Sequence, residues 1–138
     1  MSTLKTANIQ DTSGNNNSTP EEISQGRAKA WVNFDGTTGT LNQNDVTIRG
    51  SFNVTSVTDN GTGDYSINFT NSFSNTNYCV VTGGYNSNNG DGEWNSVGSS
   101  STTAYPAGVA TGSVRLNSYN NGGSPQDQQA VYVAVFGD

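Results

Sequence analysis

The stretch 51–70 constrains the fold more than any other, because its side chains alternate between apolar and polar along two short runs. A period of two residues is the pattern of a β-strand with one buried face. The apolar positions of the two runs are Phe52, Val54, Tyr65, Ile67 and Phe69. Between the runs, Asn60-Gly61 and Gly63 supply the positive φ angles that a hairpin turn needs. A hairpin that is apolar on one face needs a cover on that side only, which predicts an antiparallel β-sandwich or jelly roll.

The rest of the chain continues this pattern and predicts about eight strands, so the expected fold class is all-β. The first convincing strand, Ala28–Phe34, places Trp31 on one face and Val32 on the other. Further strands are expected at 45–58 (with a bulge or bend at Gly50), 78–82, 93–97, 113–117 and 130–136, and a polar loop at 119–128. Tyr78–Thr82 is apolar on both faces, which predicts a central strand covered twice. Ala130–Phe136 is also two-sided, and we expect it to be buried within the sandwich or against a partner subunit.

The supply of core residues is small for a chain of 138 residues. Leu, Ile, Val and Phe number 24, about 17% of the chain, below the level of roughly 20% at which disorder becomes a concern. The regular alternation and the mild net charge of −6 argue against disorder. A sparse but well-patterned core predicts that neighbouring subunits complete the burial, and therefore that the protein is an oligomer.

The composition excludes several classes of function. The chain contains no His, so a Ser-His-Asp or Cys-His mechanism and an imidazole metal site are both absent. Five Lys and Arg residues are too few and too scattered to track nucleic-acid phosphates. No apolar run is long enough for a membrane span. The single cysteine, Cys79, lies in an apolar run and is expected to be a small buried core residue.

Two acidic turns, Asp59–Asp64 and Asn88–Glu93, are the remaining places for chemistry in the predicted β-domain. Clustered carboxylates and carbonyls are the ligands that Ca²⁺ prefers, but neither turn has the EF-hand spacing, so we expect hairpin turns. Glycoside hydrolysis requires two carboxylates that flank a bond, and the turn context of these acids argues against it. The sequence therefore predicts no enzyme, no catalytic residue, no metal and no cofactor.

Residues 1–27 form an arm ahead of the predicted β-domain. Thr19–Glu22 has the composition of a helix start, with a capping threonine, a proline at the first helical position and a glutamate that completes a capping box. This start predicts a short helix over 20–26. So short a helix needs a surface to pack on, and Ile23 is its obvious apolar contact. Of the two alternatives, an unordered terminus and an arm that docks on another protein, the docking arm is the sharper prediction.

Four aromatic residues lie in segments rich in Asn, Gly and Ser: Tyr85, Trp94, Tyr105 and Tyr119. Sugars bind by stacking on aromatic rings while amide and carboxylate groups bond their hydroxyls, and such segments also serve as general recognition surfaces. These residues are therefore candidates for contact with a receptor or a glycan. The alternative, which we expect first, is that the rings close the ends of the sandwich or fill a subunit interface.

Three segments resemble small tail-fibre-like virion proteins of marine tailed bacteriophages: Ser2–Asn16, Gln25–Gly36 and Ser51–Tyr65. The strings Ala-Lys-Ala-Trp-Val-Asn-Phe at 28–34 and Asp-Asn-Gly-Thr-Gly-Asp-Tyr at 59–65 are the most specific parts of the likeness. It extends over roughly the first 80 residues and, loosely, over the terminal strand, and it leaves 83–128 unmatched. The resemblance implies a trimer whose N-terminal arm attaches to the particle while the C-terminal β-domain faces outward.

The resemblance implies a particle-docking role for Leu4, Ile9 and Ile23 in the arm. The resulting hypothesis is a fibre-type virion protein with a docking arm (1–27) and a β-sandwich head (28–138) for host-surface adhesion. Its expected partners are two further copies of the chain, other virion proteins of the tail or capsid and a host-surface glycan, with no nucleic acid and no membrane insertion. The alternatives are a capsid decoration or head-fibre protein and a free carbohydrate-binding module.

Overall fold

The computed structural model describes residues 2–3, 5–15, 17–87, 94–98 and 108–137. Within these ranges the chain forms one short helix and nine strands. In chain order they are α1 (Pro20–Gly26), β1 (Ala30–Asp35), β2 (Thr47–Phe52), β3 (Val54–Gly61), β4 (Asp64–Phe69), β5 (Cys79–Tyr85), β6 (Trp94–Val97), β7 (Val109–Ala110), β8 (Ser113–Tyr119) and β9 (Ala130–Phe136). The all-β prediction is confirmed, as are the strands predicted around 93–97 and 113–117.

The strands form two sheets in which every pairing is antiparallel. The first sheet has the order β2-β1-β9-β5, and the second has the order β3-β4-β8-β6 with β7 paired to β8. Alternate side chains of both sheets point inward and share one hydrophobic core, which makes the fold a β-sandwich. The fully buried members of this core include Phe34, Val57, Tyr65, Ile67, Leu116, Val131 and Val135.

Tyr65 of β4 connects the two sheets at the centre of the core. Its ring lies edge-on to Phe34 of β1, with 5.1 Å between ring centroids. Its hydroxyl lies 2.8 Å from the Gly36 carbonyl oxygen and 2.7 Å from Asp127 Oδ1. Burial, and next the bond to Asp127, raise the pKa of the Tyr65 hydroxyl, so the group stays protonated and remains a donor.

The predicted hairpin is present as β3 and β4, with Gly61 (φ 138°) and Gly63 (φ 65°) at its turn. The prediction of one long strand from Asp45 to Thr58 is wrong. The chain turns a corner at Asn53, which has a φ of 55°, and passes from β2 in the first sheet to β3 in the second. Phe52 and Val54 therefore belong to different sheets and do not share a face.

The side chain of Asn53 holds this corner in place. Its Nδ2 donates to the Lys29 and Asn71 carbonyl oxygens at 3.1 Å each, and its Oδ1 accepts from the Asn71 N–H at 2.8 Å. Asparagine tolerates the left-handed conformation better than most residues, and here its amide also satisfies the backbone of two other segments. The bulge expected near Gly50 is present as a register shift between β1 and β2.

The prediction that Tyr78–Thr82 forms a central strand covered on both faces is wrong, and so is the prediction that Cys79 is buried. The corresponding strand, β5, lies at the edge of the first sheet, where Cys79 and Val81 are exposed. The strand carries apolar residues on both faces, but the chain does not cover both of them. Only the inner face of β5 meets the core.

The last strand, β9, occupies the centre of the first sheet between β1 and β5. Val131, Val133 and Val135 point into the core and are buried. On the opposite face Tyr132 is 46% exposed and Ala134 is half-buried. Burial of both faces within the sandwich is therefore wrong, whereas burial of the outer face against a partner subunit stays a prediction.

The short helix α1 has the capping box that the sequence predicts. Thr19 Oγ1 accepts from the Glu22 N–H at 3.1 Å, and Glu22 Oε2 accepts from the Thr19 N–H at 2.7 Å. A bond from Lys29 Nζ to Ser24 Oγ, 2.9 Å long, links the helix to the segment that enters β1. The arm therefore reaches the sandwich as an ordered turn of helix.

Candidate functional site

The four aromatic residues predicted as ligand contacts fall on strands rather than in loops wherever the structure describes them. Tyr85 ends β5 in the first sheet and is 58% exposed. Trp94 in β6 and Tyr119 in β8 are backbone partners in the second sheet, and Tyr119 is half-buried. The side chain of Trp94 and all of Tyr105 lie outside the described residues. The structure thus pairs Trp94 with Tyr119 and places Tyr85 on the other sheet.

Two of the three predicted docking residues lie together. Ile9 and Ile23 are 52% and 42% exposed, and both line a cavity of about 560 Å³ in the arm, together with Pro20. Leu4 lies outside the described residues. The docking role of these residues stays a prediction, but the exposed apolar surface that it needs is present.

Sequence reasoning missed a larger exposed surface on the outer face of the first sheet, which we call the apolar face. It consists of the outward side chains of Phe52, Trp31, Asn33, Tyr132, Ala134 and Val81. In the register of the sheet, Phe52, Trp31, Ala134 and Val81 form one row across all four strands. Phe52 and Val81 are each 56% exposed, and none of the six residues carries a charge.

Two glycines of the first sheet lie in contact range of aromatic rings of the apolar face. A Cβ atom at Gly50 would lie 3.4 Å from Trp31 Cζ3, and one at Gly83 would lie 3.8 Å from Tyr132 Cδ2. Each ring thus covers a glycine on the neighbouring strand, Trp31 towards β2 and Tyr132 towards β5, which protects backbone that has no side chain of its own. A shallow cavity of about 430 Å³, lined by Trp31, Val81 and Tyr132 among others, lies over β1, β9 and β5.

Asn33 is the one polar member of the apolar face, and its Oδ1 atom is buried without a hydrogen-bond partner in the described chain. Asn33 pairs with Tyr132 across β1 and β9 and lies two residues from Trp31, so aromatic rings flank it. A buried carbonyl with no donor costs about 1–3 kcal/mol. Asn33 is therefore a polar group that the described chain leaves unsatisfied on this face.

The outer face of the second sheet, which we call the polar face, has the opposite character. Asn68 Nδ2 donates to Thr58 Oγ1 at 2.9 Å, and Asn60 Nδ2 donates to Ser66 Oγ at 2.9 Å. Arg115 forms a two-pronged ion pair with Asp64, with both N–O distances at 2.7 Å. Cross-strand bonds of this kind satisfy the polar side chains within the chain itself.

Two of the five basic residues form ion pairs in the sandwich, and the other three lie in or next to the arm. Of the five basic residues, Arg49 pairs with Asp35 and Arg115 pairs with Asp64. The other three, Lys5, Arg27 and Lys29, form no ion pair with any described residue. All three line cavities at the base of the arm.

The acidic hairpin turn does not gather ligands for a metal. Asp59 Oδ1 accepts from the Gly61 N–H at 2.8 Å, and Asp64 is bound to Arg115. In the described part of the chain, no three carboxylate or thiol groups are close enough together to hold a metal ion. The turn at 88–93 lies outside the described residues. The helix that the structure describes is also too short and too polar to cross a membrane.

A signal for the apolar face was present in the sequence. The strands around Trp31, Val81 and Tyr132 carry large apolar residues on both faces, which is more than a one-sided sandwich strand requires. Their assignment to one shared surface was not accessible, because it depends on the sheet order β2-β1-β9-β5. Comparison with known proteins finds no matching family, no matching curated protein and no matching solved structure.

Proposed function

We propose that the protein is a fibre-type structural protein of a bacteriophage particle. In this proposal the arm, residues 1–27, attaches to other virion proteins, and the β-sandwich faces outward for host-surface adhesion. Three copies associate through their apolar faces. The resemblance of segments 2–16, 25–36 and 51–65 to such proteins supports the virion role. The uncharged row of Phe52, Trp31, Ala134 and Val81 across the first sheet, which a single chain leaves exposed, supports the association of copies.

Contact between copies explains why this face lacks charge. The chain carries a net charge of −6, so most approaches of two copies bring like charges together. The apolar face avoids this repulsion, because its six residues are neutral and the ion pair of Arg49 with Asp35 lies at its margin. Removing large exposed apolar side chains from water also provides the driving force for association.

The surface area of the chain supports the same proposal. The chain exposes 8083 Å², whereas a compact monomer of 14.4 kDa exposes roughly 6,800 Å². The excess is about 1,200 Å². A stable interface buries on the order of 800 Å² on each partner. The excess is therefore of the order of the area that association between copies buries.

Light scattering on the purified full chain tests the proposal. The expected mass is three times 14.4 kDa, about 43 kDa. Val81→Glu places a charge in the exposed row and should shift the mass to that of the monomer. Thr111→Glu adds the same charge at an exposed turn next to β7 and should leave the trimer intact. A wild-type mass of 14.4 kDa at every protein concentration would refute association through this face.

Incorporation into particles tests the arm. Ile9→Asp together with Ile23→Asp should abolish incorporation and leave the solution mass unchanged, because these exposed residues lie outside the core of the sandwich. Unchanged incorporation of this double variant would show that the arm is not the attachment point.

A free carbohydrate-binding module is the second candidate function, and one observation favours it. Asn33 lies among Trp31 and Tyr132, and an amide beside two exposed aromatic rings is a common arrangement for stacking a sugar and bonding its hydroxyls. A glycan array distinguishes the two functions. Under this second function the chain is monomeric, binds a sugar and loses that binding in Trp31→Ala. A trimer that binds no sugar through this face excludes it.

A further inference from the structure

We infer that the base of the arm forms one binding surface for an extended acidic segment of a partner protein, a segment that also carries apolar side chains. This inference rests on the proposed docking function of the arm and specifies the chemistry of what the arm docks on. The surface consists of two adjoining cavities. We call the first the arm groove, lined by Lys5, Thr6, Ile9, Pro20, Ile23, Ser24 and Arg27.

The arm groove has an ordered frame and an apolar lining. Ile9 and Ser18 form an antiparallel bridge with two backbone bonds of 2.8 Å, which folds the arm back on itself. Directly after this bridge, Thr19 and Glu22 cap the helix that carries Ile23. The groove between these elements has a volume of about 560 Å³, and its isoleucines are about half exposed. An apolar groove of this kind accepts apolar side chains of a partner segment.

A second cavity, of about 380 Å³, continues the surface towards the sandwich. Arg27 lines both cavities, and Lys29 and Phe52 line only the second. Phe52 is also the first residue of the exposed row on the apolar face. A segment that lies across both cavities therefore meets the isoleucines of the arm groove and then Arg27 and Lys29. Because the two cavities adjoin at Arg27, an extended segment can occupy both.

Charge identifies the partner segment as acidic. Lys5, Arg27 and Lys29 are three of the five basic residues, and they form no ion pair with a described residue. The described residues that line the two cavities include these three cations and no carboxylate, so this surface attracts carboxylates although the chain as a whole carries a net charge of −6. Three cations are too few to hold nucleic acid by its phosphates at physiological salt.

Selection from a random peptide library against the immobilised full chain tests the inference. The enriched peptides should combine Asp or Glu with large apolar residues, and their affinity should fall as salt is raised, because salt screens exposed charges. Arg27→Gln should weaken binding of an enriched peptide about tenfold, which corresponds to about 1.4 kcal/mol. Ile23→Ser should weaken the same peptide by a similar factor at both high and low salt.

Thr62→Glu is the matched control. It changes the net charge by the same amount as Arg27→Gln, but it lies at the exposed hairpin turn of β3 and β4, away from the arm. Binding of the enriched peptides should be unchanged in this variant. Equal losses in Thr62→Glu and Arg27→Gln would show that overall charge, and not the arm, governs binding, and would overturn the inference.

The other outcomes are equally decisive. The inference is wrong if no peptide is enriched, if the enriched peptides lack acidic residues, or if they match an acidic stretch of this chain, since the occupant is then a second copy. Arg27-dependent binding to phosphatidylserine vesicles in place of peptides would identify a membrane as the partner. Peptide binding by a protein that is monomeric supports this inference while refuting the proposed trimer, so the two can fail separately.

Discussion

The two sheets of this protein have outer faces of opposite chemistry. On the polar face, asparagine, serine and threonine side chains bond one another across strands, and Arg115 binds Asp64 with two bonds. On the apolar face, Trp31 and Val81 are exposed and Asn33 has a buried oxygen with no donor. Both sheets contribute to the same core and show the same alternation of side chains. They differ in the polarity of the side chains on their outer faces.

One outer face satisfies its polar groups within the chain, whereas the other exposes large apolar side chains. A sheet face that meets water satisfies its polar groups locally and exposes few large apolar residues. The polar face fulfils this description. A face with several exposed apolar side chains over four strands is instead typical of an interaction surface. Substitutions on the two faces test this contrast.

Arg115→Ala should cause the largest loss of stability. Asp64 is only 6% exposed, and the substitution leaves its carboxylate without its cation, which should lower the free energy of unfolding by about 3 kcal/mol. Urea denaturation measures this loss. Arg49→Ala is the comparison, because its pair with Asp35 is more exposed and should contribute about 1 kcal/mol or less. Equal losses in the two variants would show that the polar face is not specially stabilised.

The same substitution on the two faces of the first sheet should give different results. Val131→Ala removes buried methyl groups from the core and should lower the free energy of unfolding by about 2 kcal/mol at every protein concentration. Val81→Ala should change it by less than about 0.5 kcal/mol in dilute monomer, because Val81 is exposed. At concentrations where the chain associates, Val81→Ala should also weaken the oligomer. A large loss in dilute Val81→Ala protein would contradict the description of this face.

Asn33→Val should stabilise the isolated chain by about 1 kcal/mol, because it removes the buried oxygen that has no donor and adds a residue that favours strands. Thermal unfolding of dilute protein would detect the change. Asn68→Val is the control from the polar face and should destabilise, since Asn68 bonds both Ser56 and Thr58. A loss of stability in Asn33→Val would indicate that the amide has a partner in solution.

The smallest expected effect is a change in the pKa of Glu22, in the helix of the arm. Bonds from the Thr19 backbone and side chain lower the pKa of Glu22 below its usual value of 4.5. A lowered folded-state pKa stabilises the helix above that value, and the contribution is lost as the pH falls through the lowered pKa. Titration of the Glu22 carboxyl by NMR should show this midpoint, and Thr19→Ala should return it towards 4.5. A normal midpoint in the wild type would show that the cap is not formed.

Local patterns predicted many of the elements but not their neighbours. The capping box at Thr19–Glu22, the turn at Gly61 and Gly63, and the alternation in β8 depend on residues close in sequence, and all three are confirmed. The prediction that Cys79 is buried was wrong, because an edge strand and a central strand can have the same apolar run. Gln128 shows the reverse error, since it ends a stretch predicted as polar loop but is fully buried.

The candidate site was less accessible from the sequence than the fold. Ile9 and Ile23 were predicted to be docking residues of the arm, but the arm groove between them follows from a backbone bridge that no local pattern indicates. Trp31 and Tyr132 are about 100 residues apart in the chain and were not connected before the pairing of β1 with β9 was known. The sequence instead predicted a ligand surface at aromatic residues in polar segments. Of these, Tyr85, Trp94 and Tyr119 lie on strands.

Alternation and capping act over a few neighbouring residues, so the amino-acid sequence is enough to predict a β-protein with a capped arm and few apolar residues for its core. The end of the Phe52 strand at Asn53, and the single exposed row of Phe52, Trp31 and Val81, follow from the three-dimensional arrangement. Strand order and register are set by contacts between residues distant in sequence. For this reason the most informative surface of the protein became visible only in three dimensions.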